Sequence, residues 1–113
     1  MNLFKKEDSK VYIHKVPTRE TGADGKPVYD EISVEVSWKI PPAPEAETIL
    51  VEQTRDTVVF KKYVQEVKSN DVDGWSDGVS AADVVATPGT AGLIHSVVMD
   101  IIAGMRLGFT RKN

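Results

Sequence analysis

The chain has 113 residues, a length that suits one domain with a single core and no covalent staples. It contains no cysteine, which excludes disulfides, zinc–thiolate sites and thiol catalysis and suits a reducing compartment. The net charge of −3 supplies no field that would draw nucleic acid or an anionic membrane. Charge is balanced over residues 1–40, seven bases against seven acids, and tips acidic over 41–113, seven against ten. Arg106, Arg111 and Lys112 gather at the end, where bases complement a helix C-terminus or touch something acidic.

Residues 1–9 are polar and are expected to fray. They carry no apolar core of a secretory signal. Residues 11–16 are rich in β-branched and aromatic side chains and predict a short strand. Pro17 to Pro27, with Gly22 and Asp24-Gly25, reads as a long, mobile hairpin loop. The clearest periodicity follows over 28–40. Ile32, Val34, Val36, Trp38 and Ile40 alternate with Glu31, Ser33, Glu35, Ser37 and Lys39, the period of a strand with one dry and one wet face. An antiparallel hairpin of these two strands is marginal alone, so its apolar face must meet helices or a partner.

Pro41-Pro42-Ala43-Pro44 ends the strand, and Pro44 can open a helix in its first turn. Helical spacing then runs over 44–68 through Ile49, Leu50, Phe60, Tyr63, Val64 and Val67. Thr54 to Thr57 is the place where it can break in two, with Asp56 as a second N-cap. Ser80-Ala81-Ala82-Asp83 resembles a capping box with Asp for Glu and predicts a short helix over 80–86. Thr87-Pro88 reads as N-cap and first residue of a last helix over 88–107, stopped by Gly108. The fold class expected is α+β: an N-terminal hairpin on a C-terminal helical part, one domain over 1–113.

The last helix is the most apolar element. Leu93, Ile94, Val97, Val98, Ile101, Ile102 and Met105 cover about half its circumference, where a helix facing only its own core needs a stripe of roughly 100°. Either the helix is central and touched from two sides, or part of the stripe meets a partner. Gly92, Ser96 and Ala103 lie outside the apolar arc and permit close backbone approach. The stretch is interrupted by His95, Ser96 and Asp100 and is too short to span a bilayer.

Chemical motifs are weak by comparison. Setting Gly74 at the glycine position of a calcium loop aligns only Asp71 and Asp73 as ligands and puts Ser80 where a bidentate Glu is needed, so an ordinary polar loop is expected. His14 and His95 are far apart and lack ligand spacing. There is no nucleophile elbow, phosphate-binding glycine loop or zinc-protease motif. Glu31 and Glu35 share a wet strand face without a cleft. Tyr12, Tyr29 and Trp38 could stack on bases, but their neighbours are acidic. No catalytic, metal or cofactor site is expected, nor nucleic acid or membrane as a partner.

The second half of the chain resembles the small tail assembly chaperones of long-tailed bacteriophages. The pieces that carry this are 32–40 followed by Pro41-Pro42, the segment 58–67, Gly74-Trp75, Thr87-Pro88-Gly89-Thr90-Ala91-Gly92-Leu93 running into 97–104, and the terminal Arg111-Lys112-Asn113. Between Trp75 and Ser80 the chain is shorter than that family's pattern. The resemblance implies a transient, non-enzymatic factor of the host cytoplasm. It would coat the helical tape-measure protein, recruit tail tube subunits and leave before the tail is finished. It would bind through Leu93, Ile94, Val97, Val98, Ile101, Ile102 and Met105, and a homo-oligomer is compatible with it. The alternative is a permanent virion component: a tail terminator, a head-tail connector or a tube-associated protein.

Overall fold

A computed structural model describes residues 6–107, with the side chains of Pro17, Arg19 and 105–107 outside the description. Positions 1–5, Gly108 and the basic Arg111-Lys112 lie outside the described residues. The fold is α+β: strands β1 (Glu7–Thr21) and β2 (Pro27–Lys39), helices α1 (Ala43–Glu52) and α2 (Asp56–Tyr63), strand β3 (Val64–Lys68), and helices α3 (Ala81–Ala86) and α4 (Ala91–Leu107). The three strands form one antiparallel sheet in the order β1-β2-β3.

The alternation in β2 sets the layers. Val34, Val36 and Trp38 are buried, Ile32 and Ile40 are half-buried, and Glu31, Ser33, Glu35 and Lys39 are exposed. The dry face is covered by the helices, whose Ile49, Val59, Phe60, Val84, Leu93, Val97 and Ile101 join one core with Trp38 and Val36. Helix α2 lies against both α3 and α4.

Four expectations are corrected. β1 begins at Glu7, so part of the segment expected to fray is paired strand, and it runs to Thr21 rather than ending at 16. The expected loop over 17–27 is therefore mostly arm, and the turn itself is short. Gly22 N–H bonds to the Lys26 carbonyl at 2.8 Å, and Gly25 adopts a φ of +78°, a left-handed conformation that glycine adopts without steric cost. No described side chain between positions 18 and 31 is buried, so the arm extends beyond the core, in a molecule 53 Å along its longest axis.

The second correction falls on 64–68, which is strand β3, not helix. Trp38 pairs with Val64 and Ser37 with Glu66, leaving Gln65 as the extra residue of a bulge. The bulge turns both Val64 and Val67 inward across a spacing of three, which imitates helical periodicity. Val67 also bridges Val79, which covers part of the outer edge of β3.

The third concerns α4, which starts at Ala91 rather than 88. Pro88-Gly89 makes a turn with Gly89 at φ +85°, and the Thr90 carbonyl accepts the first helical bond, from Ile94 N–H. The Thr90 hydroxyl shares its one proton between the Val84 and Thr87 carbonyls, each at 2.9 Å, tying α4 to the end of α3. The fourth is the cap of α2: it is Arg55, without a side-chain bond, and Asp56 lies inside the first turn. Ser80 does cap α3, accepting from Asp83 N–H at 3.2 Å, and Pro44 sits in the first turn of α1.

Phe60 is fully enclosed where α2 meets the sheet and α4. Phe60→Ala is expected to lower the free energy of unfolding by about 3–5 kcal/mol, read from the midpoint of urea denaturation.

Candidate protein-interaction surface

The residues expected to meet a partner are inside the molecule. Leu93, Ile94, Val97, Val98 and Ile101 are all buried in the core, and Ile102 is half-buried against it. The Met105 side chain lies outside the described residues. Of the two readings of the apolar stripe, the chain takes the internal one. α4 is touched by α1 and α2, and its flank is tied to β1. In this fold a partner reaches Val97, Val98 and Ile101 only by opening the core, whereas Ile102 is partly exposed and Leu93 lines a surface cleft with Trp75, Pro88 and Thr90.

That flank carries a polar clamp. Tyr12 points to the dry side of β1 and donates its hydroxyl to Asp100 Oδ2 at 2.6 Å, while Lys10 Nζ approaches the same oxygen at 3.1 Å and sits over the Tyr12 ring. Burial, then the bond to Asp100 and its charge, pushes the phenol well above its ordinary range. On the opposite flank His95 Nδ1 meets Asp56 Oδ2 at 2.8 Å, joining α4 to the start of α2. Both contacts hold elements together and leave no reactive group facing a cleft.

Of the two carboxylates that align with a calcium loop, Asp71 is committed to the sheet. Asp71 accepts the Ser33 N–H at 2.8 Å, so its carboxylate extends the sheet edge. Among the described residues no three or more acidic or histidine side chains are placed to hold a metal ion. Tyr12 and Trp38 are buried on the dry face, and Tyr29 is exposed and pairs with Pro17, so the three aromatics form no platform. Among the described residues no helix is long and apolar enough to cross a membrane.

Exposed apolar side chains occur singly at Val16 on β1, Tyr29 on β2 and Met99 on α4, and gather in two further places that the periodicity of single elements does not reveal. The first is the wet face of β1, where Val11 is 56% and Ile13 is 65% exposed. In register they stand opposite Glu35 and Ser33. The second is the helix pair α1–α2. There a cleft of about 420 Å³ is lined by Ile49, Val58, Val59 and Tyr63, with Glu45, Glu52 and Lys62 at its rim. Val58 is 48% exposed, and Leu50 and Val51 on α1 also face solvent. Tyr63 donates to Glu45 across the cleft at 3.2 Å.

Comparisons with protein-family models, with curated proteins and with solved structures find no match to this chain.

Two outcomes follow from the clamp. Tyr12→Phe is expected to cost about 1 kcal/mol, since Asp100 is partly solvated and keeps Lys10. A phenol held above its ordinary value of 10.0 contributes stability below that pH and loses it as pH rises further. Wild-type stability should therefore fall above about pH 10, and Tyr12→Phe should flatten part of that fall. Tyr63, also raised by burial and by Glu45, retains the rest. Thermal melts across alkaline pH check both.

Proposed function

We propose that this chain is a non-enzymatic protein-binding factor, and more specifically a tail assembly chaperone of the kind that long-tailed bacteriophages use. The observation that carries the reading is the open cleft between α1 and α2, with an apolar floor, a charged rim and the exposed Val58 at its mouth. That is the form in which an amphipathic helix is taken up: apolar anchors enter the groove and charged side chains order the rim. A tape-measure protein is a long helical client with such faces. Recruitment of tube subunits, and action in the host cytoplasm rather than in the finished particle, complete the reading. Support for the phage assignment comes from the motifs of the second half, Gly74-Trp75 and the Thr87-Pro88-Gly89 turn before α4 among them.

A permanent virion component is the second reading, and the arm of β1 and β2 beyond the core favours it, because an arm of this form can insert between neighbouring subunits. Particle composition separates the two. A chaperone is lost from purified virions, whereas a connector or tube-associated protein is present in fixed stoichiometry.

Val58→Asp places a charge at the mouth of the cleft on a side chain that is already half-solvated. Co-expressed with the tape-measure protein, the variant is expected to retain wild-type thermal stability within a few degrees and to lose at least about tenfold in co-purified client. Undiminished capture by a folded variant would remove the cleft from the function.

A further inference from the structure

We infer that β1 pairs edge to edge with β1 of a second copy of this chain, joining two sheets into one of six strands. This goes beyond the chaperone reading and does not depend on it. The first ground is the direction of the backbone groups. Ser33 donates its N–H to Asp71 and accepts from Ser69 Oγ, so its backbone points away from β1. Alternation then turns Ile32, Val34 and Val36 toward β1, where they pair with His14, Tyr12 and Lys10. The N–H and C=O groups of Ser9, Val11, Ile13 and Lys15 consequently point outward, away from β2. Two details agree with this parity. The Ser9 N–H is capped by its own neighbour, the Asp8 carboxylate, at 2.8 Å. Pro17, which has no N–H, occupies the next outward position beyond Lys15 without breaking the strand.

An outward row of backbone groups flanked by exposed Val11 and Ile13 is a template for another strand. The charge pattern selects the occupant. The window from Glu7 to Lys15 is acidic at one end, basic at the other and apolar at its middle. Two antiparallel copies related by a twofold axis through Val11 set Val11 on Val11, Ser9 against Ile13 and Glu7 against Lys15, the last pair twice. Opposite charges and apolar pairs directly across a ladder favour that register, and a parallel pairing would oppose like ends. All outward positions are odd-numbered, so this register brings hydrogen-bonding residues face to face. Beneath the new sheet, the flank of α4 that carries Asp100 also carries the exposed, small Ser96 and Ala103, which let a neighbouring helix come close. The Asp8 cap on Ser9 yields as the end pair forms.

The test is sedimentation of the purified full chain, without any phage protein, over a micromolar to sub-millimolar range. A reversible dimer is expected. Ile13→Pro deletes one outward donor and leaves the β2 ladder intact; it should weaken dimerisation at least about tenfold while keeping the wild-type circular dichroism. Should that variant fail to fold, Ile13→Lys makes the same test with a charge at the edge. The chain has no cysteine, so Val11→Cys reports register directly. Mild oxidation should link it to a covalent dimer far more readily than Ile13→Cys. A wild-type chain that stays monomeric throughout, or a dimer that a folded Ile13→Pro or Ile13→Lys leaves unchanged, overturns the inference. Preferential cross-linking of Ile13→Cys would overturn the register. Failure of client capture with the dimer intact would count against the chaperone reading alone.

Discussion

Everything in this fold is arranged around β2, among the described residues the only strand flanked by a strand on each side, with Val34, Val36 and Trp38 of its dry face buried. A two-stranded hairpin cannot stabilise itself, so Val34, Val36 and Trp38 require a cover. The chain supplies it twice. β3 lies along the far edge, and α2 and α4 lie beneath. The bulge at Gln65 lets a five-residue strand place two valines on the dry side where strict alternation would have placed them differently. Without that bulge, Val64 and Val67 could not both join the core.

The parts that were legible in the sequence are those where one local rule acts alone. The alternation in β2 was visible because its two faces meet different solvents. The Ser80 cap was visible because a hydroxyl three residues before an N–H has a fixed geometry. The sequence misleads where two rules compete. Pro17 and the polar residues after it signal a loop, yet a proline on an open edge costs no hydrogen bond, and the strand continues. Phe60, Tyr63, Val64 and Val67 follow a helical spacing that changes meaning at Val64, where the chain passes from α2 directly into β3. Pro88 looks like the start of a helix, but Gly89 in the left-handed region delays it to Ala91.

The apolar stripe of α4 illustrates a different limit. Its breadth is plain in the sequence, but breadth alone does not say whether the second contact is internal. Here α1 and α2, together with the buried sheet side chains Tyr12, Val34, Val36 and Trp38 of the same core, account for it. The apolar surfaces left over are smaller, and two of them gather more than one side chain: Val58 with Leu50 and Val51 at the α1–α2 pair, and Val11 with Ile13 on β1. Neither shows as an apolar run, because each depends on how separate elements are placed side by side. They also differ in kind. One is a concave site for a side-chain-rich partner, and the other is a line of backbone groups.

The arm formed by β1 and β2 beyond the core has a consequence for cooperativity. None of its described side chains is fully buried, and its two halves are held together by ladder bonds, by the short turn at Gly22 to Lys26 and by the Thr18 hydroxyl, which donates to the Val28 carbonyl at 2.9 Å. Such a segment opens without disturbing Val34, Val36 or Phe60, and it constitutes a separate unit of local unfolding. The amide protons of the arm exchange with solvent through that small opening, whereas those of the central strand must await global unfolding. The protein thus carries a compliant lever on a rigid base. A partner that grips the lever can order it at an entropic cost confined to the arm, leaving the stability of the core untouched.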